Sequence, residues 1–372
     1  MKNILKKLSV VFFALIFFAL FAVGGFLISA SLFSGFFNPL EVIIGVAGII
    51  LCAYISIIVH EGGHMVFGLA SGYSFCSFRI GSLMWIKQDG KIKLRRHSIA
   101  GTGGQCLMTP PAEKNGKIPV ILYNLGGVIA NFLLAALFAL AYFLSVHRFI
   151  LLALIFLFGA IISFAFALTN GYPLHVGGIA NDGMNAIHLS KNPDAATAFR
   201  NQLLMNAAQT EGTRLSEMPE EWFTLPEGAD MQNVLCASIA VFAINRTLDR
   251  GDTVAAEQEI TALLHSGYNV IGLHKNLLTC DLISCRLINN PGANVSSLIT
   301  PELQKIMKSM KAFPSIIRTQ YIIALLAEGD DKRAEKIMAD FDKLTSKFPY
   351  PQEVMAEKDI MDKATEIYKN KQ

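Results

Sequence analysis

The sequence predicts a mainly α-helical protein: a polytopic membrane domain of four transmembrane helices with a small β-hairpin in residues 1–190, followed by a cytosolic α-helical domain in residues 191–372. Two observations support this fold class. The 372 residues are 52% hydrophobic and only 16% charged, whereas soluble domains contain about 25% charged residues. The charges are also uneven, with 12 basic and 5 acidic residues in the first part and 20 and 24 in the second. A single soluble domain is therefore excluded.

The first predicted membrane span covers residues 8–40. This stretch contains no charged residue and follows three lysines, and it is longer than the roughly 20 residues that cross the hydrocarbon core of a bilayer. A cleaved signal peptide is the alternative, with Ser29-Ala30-Ser31 as a small-residue cleavage site. The apolar stretch exceeds the usual length of about 7 to 15 residues, so a membrane span is favoured.

Three further helices are predicted to cross the membrane. The second span begins at Asn38, which can cap a helix whose first residue is proline and whose third is glutamate, and it ends near Gly72. The third and fourth spans are the uncharged stretches at residues 118–146 and 149–168. All three are long enough to cross a bilayer.

Lysine and arginine fall mainly on one side of these spans. The N-terminus holds three and the loop at residues 73–117 holds eight, whereas the turns on the opposite side hold only Arg148. Because short cytoplasmic loops carry the excess of these residues, we expect an integral, multi-pass protein of a bacterial cell membrane with both termini in the cytoplasm. The basic excess then reflects topology, and no nucleic-acid partner is expected.

The loop at residues 73–117 is predicted to contain a β-hairpin. Two strand-like stretches, residues 83–87 and 91–95, flank Asp89-Gly90, a dipeptide typical of tight two-residue turns. The second stretch alternates basic and apolar residues. Its edge could pair with another extended segment or hold the loop at anionic lipid headgroups.

The second domain is predicted to consist of helical repeats. Gly251-Asp252 is matched by Gly329-Asp330, 78 residues later, with Pro291-Gly292 about midway between them. This spacing indicates helix-turn-helix units of about 39 residues, which stack to bury faces that no single unit could bury. The pattern resembles tetratricopeptide arrays without their full signature. An irregular helical domain with two similar turns is the alternative.

The residues that carry chemistry are His60-Glu61-Gly62-Gly63-His64, within the second predicted span. Two histidines four positions apart lie on one face of a helix, so both imidazoles can bind one metal ion, and the glutamate between them is placed to act as a base. Ionisable residues inside a membrane helix are unfavourable by about 2.5 to 3.5 kcal/mol each, which favours a functional site. The alternative is a polar group at the cytoplasmic end of the span.

Three motifs together resemble those of the site-2 proteases, a family of intramembrane zinc metalloproteases. They are the histidine motif, Gly127-Val128-Ile129-Ala130-Asn131 in the next span, and Asn170-Gly171-Tyr172-Pro173 followed by Asn181-Asp182-Gly183. The resemblance implies a zinc ion held by His60, His64 and Asp182, with Glu61 as the general base. It also implies that Asn131 stabilises the developing oxyanion, although a buried amide in a span often bonds a neighbouring helix instead.

The third motif departs from the family pattern. The aspartate usually follows the proline by five residues and is preceded by leucine, whereas Asp182 follows Pro173 by nine residues and is preceded by Asn181. Two alternatives therefore stay open: His175 could be the third ligand, and Asp182 could be only a helix cap.

The predicted function is an intramembrane zinc endopeptidase that cuts in or near the transmembrane segment of a membrane protein or remnant peptide. The expected partners are that substrate, the lipid bilayer and a cytosolic protein bound by the C-terminal helices. The alternative is a membrane-anchored helical-repeat scaffold with a vestigial or regulatory metal site. A transporter is disfavoured, because one ionisable cluster near the cytosol provides no evident pathway across the bilayer.

Overall fold

The computed structural model describes residues 38–97, 102–114, 117–176, 179–346 and 348–370. The first predicted span, residues 8–40, lies outside the described residues except at its end. The chain divides into two compact units. Within the described residues, the first comprises residues 38–73, 102–106 and 119–191, and the second comprises residues 74–97, 107–118 and 192–370 apart from the gaps given above. The predicted boundary between residues 190 and 191 stays a prediction.

Helices and strands follow one another along both units. In chain order they are α1 (Pro39–Ala70), β1 (Ser74–Ile80), β2 (Leu83–Gln88), β3 (Lys91–Arg96), β4 (Gly104–Thr109), α2 (Val120–Ser145), α3 (Ile150–Gly171), β5 (His175–Val176), β6 (Ile179–Ala180), α4 (Asp182–Lys191), α5 (Pro193–Thr210), α6 (Val234–Asp249), α7 (Thr253–His265), α8 (Gly272–Asn289), α9 (Pro301–Ser309), α10 (Pro314–Ile322), α11 (Asp331–Thr345) and α12 (Pro351–Lys369). A π-helix, Ile323–Glu328, continues α10.

The first unit contains three helices that are long and apolar enough to cross a membrane. They are α1, α2 and α3, and they correspond to the second, third and fourth predicted spans. The predicted start of α1 is confirmed, because Asn38 Oδ1 accepts from Glu41 N at 3.0 Å while Glu41 accepts from Asn38 N at 2.8 Å. The described part of the chain thus holds three of the four predicted spans.

The buried residues of α1 form one stripe along the helix. They are Cys52, Ser56, His60, Gly63, His64 and Gly68. Large apolar side chains on the other faces are exposed, including Ile43, Ile50 and Leu51. Exposed apolar faces around a polar buried stripe are typical of a helix that faces lipid and packs its polar side against other helices.

A four-stranded antiparallel sheet has the order β3-β2-β1-β4, so β3 is an edge strand. The predicted hairpin is confirmed, since β2 pairs with β3 and Gln88 lies opposite Lys91. Asp89 and Gly90 have φ angles of 53° and 70°, as a type I′ turn requires. The strands β1 and β4 were not predicted, and β4 begins in the first unit and ends in the second.

Helices α5–α12 belong to the second unit, and from α6 onward they follow as helix-turn-helix pairs. The first helices of three successive pairs begin at residues 234, 272 and 314, close to the predicted spacing. The two Gly-Asp pairs occupy equivalent turns, because Asp252 caps α7 and Asp330 caps α11, each after a glycine with positive φ. The resemblance to tetratricopeptide arrays stays a prediction.

A charged cluster lies inside this helical unit. Arg318 is 1% exposed and forms ion pairs with Asp281 and Glu357, the latter with Nε 2.8 Å from Oε2. Burial raises the pKa of Glu357 to about 7, although Arg318 opposes that shift. Burial also raises the pKa of Glu353, one turn earlier on α12, to about 8, and the neighbouring Glu357 adds to the shift. The carboxylates thus outnumber the cation that pairs with them.

Candidate metal centre

Two imidazoles come together on the buried stripe of α1. His60 and His64 are four residues apart and both are buried, with Nε2 atoms 3.3 Å from each other and rings nearly perpendicular at 86°. Because the side chains of positions i and i+4 lie one above the other on a helix, the helical geometry alone brings these nitrogen atoms together.

Asp182, the first residue of α4, completes the group. Its Oδ2 lies 3.1 Å from Nε2 of His60 and 3.4 Å from Nε2 of His64. Apart from these two approaches, Oδ2 is buried and makes no hydrogen bond within the part of the chain that the structure describes. Ligand atoms of the three residues all lie within 4.8 Å of one another.

These three atoms fit a zinc ion. Around a tetrahedral zinc with ligand bonds of about 2.0 to 2.1 Å, any two ligand atoms are about 3.3 Å apart. The observed separations of 3.1, 3.3 and 3.4 Å match one face of such a tetrahedron. Two imidazoles and one carboxylate are also the donor set of catalytic zinc sites, which use three protein ligands and keep one position open.

Asn181 fixes the segment that presents Asp182. Its Oδ1 accepts from the backbone N–H groups of Leu174 and Met184, both at 3.0 Å. Its Nδ2 donates to the carbonyl oxygens of Thr169 and Tyr172 at 2.7 and 2.6 Å. All four hydrogen bonds that an asparagine side chain can make are therefore formed. They join the end of α3, the loop that follows it and the start of α4.

Helix α2 orients both imidazoles through their Nδ1 atoms. His64 Nδ1 lies 2.8 Å from the carbonyl oxygen of Tyr123, and His60 Nδ1 lies 3.2 Å from Nδ2 of Asn131. Tyr123 is itself held, because its hydroxyl donates to the carbonyl oxygen of Cys106 and its ring stacks on Tyr73. Such partners outside the ligand set fix the tautomer and the orientation of metal-binding histidines.

Glycines allow α1 and α2 to approach closely at the site. A Cβ added at Gly63 would lie 2.7 Å from the Cβ of Ala130, and one added at Gly126 would lie 2.8 Å from the carbonyl carbon of Gly63. A Cβ at Gly127 would lie 2.7 Å from atoms of both imidazoles, namely Nδ1 of His60 and Nε2 of His64. The rings therefore lie directly against the backbone of α2.

Glu61 follows His60 on α1 and is partly buried. Its side chain packs against the backbone of Gly104, since a Cβ there would lie 2.7 Å from Oε1 of Glu61. Any larger residue at this position would displace the carboxylate. Gly104 at the start of β4 thus limits where the predicted base can lie.

The structure brings the sequence-predicted residues His60, His64, Asp182 and Asn131 into contact, with Glu61 one residue away on α1. His175, the alternative ligand, lies in β5 and does not belong to the group of metal-binding atoms found among the described residues. Sequence reasoning did not identify three supporting residues: Tyr123, Gly104 and Asn181. Only Asn181 had left a signal, because it stands where the related motif has leucine.

Most of the chain matches a model of a known protein family. A model described as peptidase family M50 matches residues 48–338, more than three quarters of the chain. The matched segment includes all three potential ligands and continues into the helices of the second unit. No curated protein and no solved structure matches the chain.

Proposed function

The chain belongs to peptidase family M50, the site-2 protease family of intramembrane metallopeptidases, and we propose that it hydrolyses peptide bonds in or near the transmembrane segment of a membrane protein or remnant peptide. The observation that carries the proposal is the group of His60, His64 and Asp182 within the membrane unit. Zinc bound there would supply a Lewis acid and would lower the pKa of a bound water to about 7.

The residues of the chain then have separate roles. His60, His64 and Asp182 would hold the metal ion, and Glu61 would accept a proton from the attacking water and deliver it to the leaving amine. The expectation that Asn131 stabilises the oxyanion stays a prediction. Packing of Glu61 against Gly104 supports a fixed position for the base, because no side chain separates it from that backbone.

Substrate must reach this site with its peptide bond exposed, because an intact helix hides its carbonyl groups. We propose that the substrate binds as an extended strand, and the described sheet supports this mode because its two outer strands, β3 and β4, each have one side with no neighbouring strand in it. Strand addition uses the backbone of such an edge. Attachment of β3 to anionic headgroups through Lys91, Lys93 and Arg95 is the competing role.

The decisive variant is Glu61→Gln in the full-length protein. Each variant is co-expressed with single-span membrane proteins that carry a different tag at each end, and purified chains are analysed for bound zinc. Glu61→Gln is expected to keep about one zinc per chain and to lower cleavage by about 10²- to 10⁴-fold, the usual contribution of an acid–base residue. Glu41→Gln, the same change in the capping box of α1, is the matched control and should cleave normally.

Undiminished cleavage by Glu61→Gln would reject the mechanism. Cleavage by wild-type protein from which zinc has been removed would reject the requirement for a metal ion. If the wild-type chain cleaves nothing but binds a soluble protein, and Glu61→Gln replaces it in cells, the scaffold function would be favoured instead.

We also propose a cytosolic location for the helical unit, with both termini on that side and a cytosolic protein as its partner. The acidic excess of residues 191–372 is ordinary for a soluble domain, and the basic loop at residues 73–117 favours the cytoplasmic side. Protease protection of inverted and right-side-out vesicles distinguishes the two orientations.

A further inference from the structure

We propose that Asn131 is a positioning residue, which holds His60 in the orientation for zinc binding by accepting a hydrogen bond from its Nδ1. This inference rests on the proposed zinc site. It assigns Asn131 a role different from the oxyanion stabilisation expected from its motif. It concerns the affinity of the site for the metal ion, which can be measured without any substrate.

The neighbouring ligand shows how α2 selects a tautomer. His64 Nδ1 lies 2.8 Å from the carbonyl oxygen of Tyr123. A carbonyl oxygen can only accept a hydrogen bond, so Nδ1 carries the proton and donates it. In the neutral imidazole, Nε2 then has the lone pair, 3.4 Å from Oδ2 of Asp182. The backbone of α2 therefore prepares His64 as a ligand.

Asn131 stands in the equivalent place for His60, two helical turns further along α2. Its side-chain amide lies 3.2 Å from Nδ1 of His60, and the residue is 0% exposed. Nε2 of His60 faces Asp182 and His64 at 3.1 and 3.3 Å. When Nε2 binds metal, Nδ1 must carry the proton, and the acceptor that Asn131 offers is its amide oxygen.

The amide can present that oxygen without moving the backbone. A turn of 180° about the last side-chain bond exchanges Oδ1 and Nδ2, which have nearly the same shape. In the orientation with Nδ2 toward His60, Oδ1 is buried and makes no hydrogen bond within the described residues. The exchanged orientation gives Oδ1 a donor once Nδ1 of His60 carries the proton, and Nδ2 then takes the position that Oδ1 had occupied. The proton on Nδ1 therefore decides which of the two orientations is favoured.

The surroundings keep Asn131 and His60 in contact. Ser163 on α3 donates to the backbone carbonyl oxygen of Asn131 at 3.1 Å, which joins the two helices at this turn. Gly127, one turn earlier, lets the imidazole lie against α2. The side-chain amide is thus confined beside the ring.

The test compares zinc affinity in full-length, detergent-purified variants by competition with a chromogenic chelator. Asn131→Leu keeps a similar size but removes the hydrogen bond, and it should bind zinc about 10- to 100-fold more weakly. Asn131→Asp retains an acceptor for Nδ1–H but has no donor, and it should bind zinc like the wild type. Asn124→Leu is the matched control, because Asn124 is also buried on α2 and, among the described residues, its side chain donates to the carbonyl oxygen of Val120 in its own helix.

The proposal would be overturned if Asn131→Leu bound zinc as tightly as the wild type, or if the leucine and aspartate variants lost zinc affinity to the same extent. An oxyanion role predicts another pattern: unchanged zinc affinity in both, with kcat lowered by about 10²- to 10³-fold. If the leucine variant does not fold by circular dichroism, Asn131→Ala takes its place. If the wild-type protein binds zinc but cleaves no substrate, the peptidase function is rejected, whereas the comparison of zinc affinities between the variants stays valid. If the wild-type protein binds no zinc, both the peptidase function and the role of Asn131 are rejected.

Discussion

Adjacent glycines in the histidine motif allow a test of the packing between α1 and α2. Gly62 and Gly63 occupy the same helix and differ in what an added methyl group would contact. A Cβ at Gly62 meets nothing within 4 Å, whereas a Cβ at Gly63 would lie 2.7 Å from the Cβ of Ala130. Gly62→Ala and Gly63→Ala are thus a matched pair of variants.

The expected magnitudes follow from these distances. Carbon atoms in contact prefer a separation of about 3.5 to 4.0 Å, so Gly63→Ala must move α1 away from α2 by about 1 Å. Either substitution gains about 1 kcal/mol of helix propensity, but overpacking at residue 63 is unfavourable by about 1 to 3 kcal/mol. Gly63→Ala should therefore be less stable than Gly62→Ala by about 1 to 3 kcal/mol. A displacement of about 1 Å can also lower the rate of catalysis by about 10²-fold.

The assay measures thermal unfolding by circular dichroism, zinc affinity and cleavage for both variants. Gly62→Ala should unfold at or slightly above the wild-type temperature and keep its zinc. Gly63→Ala should unfold earlier and bind zinc more weakly, because its helix carries two ligands away from Asn131 and Asp182. Equal behaviour of the two alanine variants would refute the inference that this contact determines the position of the imidazoles.

Two further predictions concern the third ligand and the helical unit. Asn181→Leu introduces the residue usual in the related motif but removes four hydrogen bonds, so zinc affinity should fall by at least tenfold in chelator competition; unchanged affinity would show that the segment holds Asp182 without them. The pKa values of Glu353 and Glu357 are raised to about 8 and about 7, above those of the unfolded chain, so the folded state binds more protons and stability should fall as pH rises from about 5 to 8. Urea unfolding at about pH 5 and about pH 8 measures the free energy of unfolding, and Glu353→Gln should reduce its fall between these two values. An identical pH dependence in the variant would contradict the raised pKa of Glu353.

Local features of the sequence predicted much of the membrane unit. Uncharged apolar stretches determined α1, α2 and α3 because each alone is long enough to cross a bilayer, and Asn38 determined the start of α1 because a capping box needs only neighbouring residues. The turn at Asp89-Gly90 predicted the hairpin for the same reason. By contrast, β4 lies beside β1 in the sheet although the two strands are far apart along the chain, and no short sequence pattern specifies such pairing. Strand β1 pairs locally with β2, but its residues were not recognised as a strand.

At the metal centre, too, neighbouring residues predicted some features, whereas others depend on contacts between distant parts of the chain. Helical spacing alone placed His60 and His64 together, but the approach of Asp182 depends on how Asn181 closes the loop after α3. Tyr123 could not be predicted because it contributes a backbone carbonyl oxygen, which every residue has. Gly104 acts by lacking a side chain beside Glu61, and only the folded chain shows which glycine does so.

The ligands come from two places in the chain, a helix in the first membrane segment described and a short helix more than a hundred residues later. An ion bound by both would act as a reversible cross-link that closes a long loop of chain and would couple metal binding to folding. The concentration of free zinc would then determine how strongly metal binding stabilises the contact between the start of α4 and α1. The supply of metal would thereby govern the durability of the membrane unit as well as its chemistry.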